Sequence, residues 1–188
     1  MGFGSGLWIL LGLGLSGCSG GQPPVLAPAN QAGGTSETAY ALGSVTSYGP
    51  ANAILTTGYS DTELGPDHFE VRAKGSSMTP PERLAKIALA RAAEIGVEQK
   101  RKFFKAGPAV QSIVCHAARD TAHKSGRVAA ERAPVAVLDV VYAKTADEPS
   151  FQPSAETFER LRGELAQETV SAEAKAAAAS AAQAQCGK

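Results

Sequence analysis

From His68 to Lys74 the chain alternates without a break: Phe69, Val71 and Ala73 fall on one face, and charged or polar residues on the other. A period of two marks a half-solvated strand. Leu64-Gly65-Pro66-Asp67 before it reads as a turn, and Ile54 to Thr62 as the partner strand of a hairpin. The period then changes. Leu84, Ile87, Ala88 and Ile95 recur at helical spacing. Ahead of them, Thr79-Pro80-Pro81-Glu82 offers an N-cap threonine, prolines in the first turn and a capping-box glutamate. This helix is predicted to run to about Gln99. Val110 to His116 and Val135 to Tyr142 are two further strands, joined by a polar stretch from Arg119 to Arg127 that carries Gly126. Val135 to Tyr142 is nearly continuous in apolar character, which predicts a central strand or one covered on both faces. Pro153-Ser154 opens a second helix with Phe158, Leu161 and Leu165 at i, i+3 and i+7. Beyond Val170 the chain is alanine-rich: helical by propensity, with little to dock it and an end expected to fray.

These elements predict an α+β fold, β-β-α-β-β: an antiparallel sheet with one packed helix, plus a trailing C-terminal Ala-rich helix. The domain is expected over residues 51–168 and the tail over 169–188. Residues 18–50 lack periodic bulky apolars and are rich in Gly, Pro, Ala, Ser and Thr, as in Gly20-Gly21-Gln22-Pro23-Pro24. Such a segment buries too little surface to offset its ordering entropy and reads as a flexible tether reaching about 30 Å as a coil.

The segment in front of the tether changes the picture most. Leu7 to Leu15 is a short apolar run, too short to span a bilayer as a helix, and has the character of a signal-peptide core. It ends in Leu15-Ser16-Gly17-Cys18, a lipobox. Residues 1–17 are then a lipoprotein signal peptide, and Cys18 is the lipidation site and the mature N-terminus. Met1 to Gly6 carries no lysine or arginine, a departure from the usual charged n-region. Several acyl chains give stable anchoring where one gives only marginal binding. In bacterial lipoproteins that this motif resembles, a residue such as Ser19 after the cysteine implies the outer membrane, facing the periplasm.

Charge is balanced, with 18 basic and 18 acidic residues, so no global field points to nucleic acid or to an anionic surface. Apolar residues make up 44% of the chain, but alanine supplies much of that, and the one tryptophan, Trp8, leaves with the signal peptide.

The candidate chemistry is sparse. Cys115 and Cys186 form a candidate disulfide in an oxidising compartment. Pairing them requires the C-terminal helix to fold back onto the third strand. The favoured alternative is a buried Cys115 and a loose terminal thiol at Cys186. Cys115-His116 with His123 has the wrong geometry for a nucleophile and its base, since adjacent strand residues point apart. A zinc site would want a further ligand, and only His68 is left as another histidine. Lys100-Arg101-Lys102-Phe103-Phe104-Lys105 reads as basic residues at a helix C-terminus, followed by phenylalanines entering a strand or the core. Arg91 shares the apolar face of the first helix and requires a carboxylate or an edge to snorkel to. Asp139, between Val137 and Val141, is its candidate partner in a structural ion pair. No phosphate loop, hydrolase elbow, zinc-protease helix or dinucleotide fingerprint occurs.

Gly58-Tyr59-Ser60-Asp61-Thr62, then Leu64-Gly65-Pro66 and Phe69-Glu70-Val71, resemble a family of small proteobacterial envelope lipoproteins of unknown function. Thr79-Pro80-Pro81-Glu82-Arg83, Arg91-Ala92-Ala93-Glu94 and Tyr142-Ala143-Lys144 extend the resemblance over roughly Tyr48 to Phe158. In that family the helix leads directly to an aromatic-rich strand. Here Lys102-Phe103-Phe104-Lys105 is followed by a Gly107-Pro108 break. The resemblance implies an envelope-anchored α+β domain and supplies no catalytic residues.

The expected function is that of a lipid-anchored, non-enzymatic cell-envelope protein with a structural or interaction role. Its expected partners are the membrane, through N-terminal acyl chains, and an envelope protein or cell-wall component, with no nucleic acid and no metal or other cofactor. The alternatives are a periplasmic binding module for a small ligand or cell-wall fragment and, third, a hydrolase.

Overall fold

The computed structural model describes residues 44–51, 56–116, 119–121, 126–128, 131–146 and 148–186. The lipobox, Cys18, Ile54 and His123 lie outside the described residues.

The fold is α+β with an antiparallel sheet, as the pattern predicts. Strands β1 (Gly58–Gly65) and β2 (His68–Lys74) form the hairpin, and α1 (Pro81–Glu98) follows. Next come β3 (Phe103–Ala106), β4 (Val110–His116), a small ribbon of β5 (Arg119–Thr121) and β6 (Gly126–Val128), and the long β7 (Glu131–Ala143). The short β8 (Gln152–Pro153) leads into α2 (Ser154–Gln167) and then α3 (Ala172–Cys186). The sheet runs β1-β2-β7-β3-β8, with β4 also paired to β7.

Strand β7 is the spine. One edge pairs with β2, from His68 opposite Val141 to Lys74 opposite Val135. The other edge pairs with β3 at one end and β4 at the other. Ala106 stands opposite Val140 and Val110 opposite Val137, so Gly107, Pro108 and Ala109 face only Leu138 and Asp139. The Gly107-Pro108 break is therefore a one-residue bulge in a single bent strand, pinned where the Gly107 amide donates to Asp139 O over 2.9 Å.

One sheet face is covered. Phe69, Val71 and Ala73 of β2, Ala136, Leu138, Val140 and Tyr142 of β7, and Phe104 of β3 are buried with Leu84, Ile87, Ala88 and Ile95 of α1. Helix α1 also carries α2 on its outer side, where Leu161 and Leu165 are buried. Contact on two sides explains its run of buried small residues, Ala90, Ala92, Ala93 and Gly96. At Gly96 a Cβ would lie 2.4 Å from Ser154 Oγ, so only glycine lets the start of α2 approach.

Turns follow local chemistry. Asp67 takes a left-handed φ of 64° between β1 and β2, a conformation aspartate tolerates, and its carboxylate pairs with Arg101. After α1, Lys100 holds φ 58° while the Arg101 amide donates to Gly96 O, the left-handed turn that commonly closes a helix.

Three expectations need correction. Helix α1 is capped by position, not by Thr79: Pro80 is its N-cap residue, with no side-chain cap bond. Pro81 lacks one of the two amides that a capping hydroxyl at 79 would serve, and Thr79 Oγ1 instead accepts the Thr46 amide at 3.0 Å. The folded domain also begins earlier than residue 51, because Thr46 is buried among Ser76, Thr79 and Arg83. Lastly, the C-terminal helix does not trail free. Ala182 is buried, and Cys186 is joined to β4.

Candidate functional site

Among the described residues, one dense polar cluster centres on Arg91. Tyr59 and Asp61 alternate onto the helix-facing side of β1, while Arg91, Glu94 and Glu98 share a stripe of α1. The Arg91 guanidinium donates to Asp61 Oδ1 at 2.8 Å, Glu94 Oε2 at 2.7 Å and Glu98 Oε1 at 3.0 Å. It also lies 5.1 Å from the centre of the Tyr59 ring. Tyr48 closes the group, donating to Glu94 Oε2 at 2.7 Å with its ring 5.0 Å from that of Tyr59. Burial lowers the Arg91 pKa, but the hydrogen bonds to Asp61, Glu94 and Glu98 outweigh it and raise it overall. The Tyr48 phenol is pushed far up by burial and then by Glu94, and Tyr59 shifts the same way for the same leading reason. The guanidinium thus spends its donors on carboxylates of its own chain, and the cluster ties the segment at Tyr48 and strand β1 to α1.

The proposed pair of Arg91 with Asp139 is not formed. Leu138 and Val140 face the helices, so Asp139 between them points to the opposite face of β7. There it meets His68, whose Nε2 lies 2.8 Å from Asp139 Oδ2, both side chains being well exposed. Asp139 does share a face with Val137 and Val141, but that is the face turned away from the helices, where Val141 is exposed.

Sequence reasoning missed a second cluster. Arg83 is buried, with its Nε donating to Thr46 O at 3.0 Å and its Nη1 to Glu168 Oε2 at 3.0 Å. Its Nη2 reaches Leu165 O at the C-terminal end of α2, where a cation suits the helix dipole. Lys86 Nζ adds a contact of 3.1 Å to Glu168. The signal was available: Arg83, Ile87 and Arg91 stand at i, i+4 and i+8.

Cys115 and Cys186 form a disulfide with Cα atoms 5.5 Å apart. The alternative of a buried Cys115 and a loose Cys186 is overturned, because Cys115 is exposed and α3 returns to β4. Nor does Cys115 join His116 in a thiol site, since its sulfur is spent in the bond. In the basic run, Phe104 is fully buried in β3 and Lys105 pairs with Glu148 at 2.9 Å. That hydrogen bond, with one from Ser150, lowers the Glu148 pKa.

Among the described residues no group of His, Cys, Asp and Glu side chains is placed to hold a metal ion. Among them, too, no helix is long and apolar enough to cross a membrane. A shallow hollow is lined by Ser44, Val45, Thr46, Ser47, Gly49, Pro50 and Thr57. No protein-family model matches the chain, and no curated protein or solved structure matches it.

Proposed function

We propose that this chain is a lipid-anchored bacterial cell-envelope protein that acts by interaction rather than catalysis, held through acyl chains on Cys18 and facing the periplasm from the outer membrane. The observation that carries the reading is the order of signals at the N-terminus: a short apolar core, then Leu15-Ser16-Gly17-Cys18, then Ser19 and a Gly/Pro-rich stretch. The Cys115–Cys186 bond supports export independently, because disulfides persist in oxidising compartments and are rare in the cytosol. The non-catalytic half of the proposal draws on the two arginine clusters. Arg83 and Arg91 spend their donors tying the segment around Thr46 and Tyr48, β1, α1 and α2 to one another.

The test is fractionation of cells fed labelled palmitate, comparing the parent with Cys18→Ser. Label and membrane association in the parent, both lost in the variant, are the expected result. An unlabelled parent, or a variant that fractionates as the parent does, overturns the anchor.

A further inference from the structure

Helix α3 is attached to the domain in a different way from α1 and α2. Helix α1 buries Leu84, Ile87 and Ile95, and α2 buries Leu161 and Leu165. Helix α3 has 15 residues and buries only Ala182. Its alanines are spread around the helix, and on its less exposed side Ala174, Ala178 and Ala182 run at four-residue spacing up to Cys186, so that side offers the domain only methyl groups before the terminal sulfur. One buried and two half-buried alanine methyl groups in this row offset little of the entropy lost in ordering such a segment. At its last residue, however, a covalent bond joins it to Cys115, which is exposed on β4. The main hydrophobic core lies entirely in β2, α1, β3, β7 and α2, and no residue of α3 or β4 belongs to it.

We propose that the Cys115–Cys186 disulfide is a redox latch on α3, opened by a dithiol reductant while the rest of the domain stays folded. A thiolate of the reductant attacks one of the two sulfurs, the Sγ–Sγ bond breaks, and the displaced sulfur takes up a proton. The reductant's second thiolate then resolves the mixed disulfide. Cys115 and Cys186 are left as thiols and the reductant as a disulfide, with two electrons and two protons transferred. Access for the attacking thiolate is provided by the exposure of Cys115 and the partial exposure of Cys186. Opening frees residues 172–186 and leaves the core, the Arg83 cluster and the Arg91 cluster in place. The latch stands independently of the lipid anchor.

Hydrogen–deuterium exchange of the full chain, followed by mass spectrometry of its peptides with and without dithiothreitol, tests this. Protection over 172–186 should fall at least about tenfold on reduction, while α1 and β2 keep theirs. Cys186→Ser should show the open pattern without reductant and no further change with it. Three outcomes overturn the latch: protection in α3 that survives reduction, loss spread equally over α1 and β2, or a disulfide that dithiothreitol leaves intact in the native protein.

Discussion

Tyr48 donates its phenolic hydrogen to Glu94 Oε2 over 2.7 Å, and Arg91 Nη1 donates to the same oxygen at the same distance. One carboxylate oxygen thus couples the segment ahead of β1 to the cation that holds β1 on α1. Arg91→Ala removes that cation from the carboxyl groups of Asp61, Glu94 and Glu98 and from the ring of Tyr59. It should cost about 2 kcal/mol, below the range for a fully buried pair because the site is partly solvated. Asp139→Ala touches only an exposed pair with His68 and should stay within about 0.5 kcal/mol. Denaturant melts of both variants check the contrast. Equal losses would show that the cluster is not what holds β1 to α1.

Alkaline pH should weaken the same region. Tyr48, Tyr59 and Tyr142 all have pKa values raised above the ordinary 10.0, with burial the leading cause in each. Above that ordinary value the unfolded chain releases these protons while the native state keeps them. The native state then binds more protons than the unfolded state, and stability falls as pH rises. The contribution is present in full below about pH 10 and is lost progressively above it. Denaturant midpoints should be flat between pH 8 and 9 and decline beyond 10. In native protein, absorbance near 295 nm should register these three tyrosines only as the fold is lost.

Gly96 and Ser154 form a contact that tolerates no added atom on the helix side. A Cβ at 96 would stand 2.4 Å from Ser154 Oγ and 2.8 Å from Ser154 Cβ. Gly96→Ala should therefore push α2 off α1 and cost about 1–3 kcal/mol, the range for overpacking. Ser154→Gly removes both obstructing atoms, so the double variant should recover most of the loss. A double-mutant cycle with no coupling energy would place the strain elsewhere.

What the sequence made legible was whatever repeats. Strand β2 has the predicted bounds because its alternation is unbroken, and α1 ends within a residue of its predicted end because its apolar spacing stops there. The apolar run predicts β7 only from Val135, although the strand begins at Glu131. Its first residues include Pro134, which argues against a strand when read alone, yet pairing with β4 carries them. Strand β3 was too short to show a period. The partners of Arg91 are not legible, because periodicity tells which residues share a face but not which face meets the helix. The C-terminal helix is legible in its alanine-rich composition, but its docking is not: that ends in a covalent bond, and hydrophobic patterning records only burial. At the domain's other end the segment around Thr46 docks by hydrogen bonds, which leave no apolar pattern either.

That segment gives a last prediction. Thr46 Oγ1 accepts the Ser76 amide at 3.0 Å and the Thr79 hydroxyl at 3.0 Å, while its own amide donates to Thr79 Oγ1. All three residues are buried. Thr46→Val keeps the shape but deprives a buried amide and a buried hydroxyl of their acceptor. Such orphaned groups cost about 1–3 kcal/mol together with the lost bonds. Thr46→Ser retains the oxygen and should be close to neutral. If residues 44–47 belonged to a tether, valine and serine at 46 would melt alike. A gap between them, with serine the more stable, sets the start of the folded domain at or before Thr46.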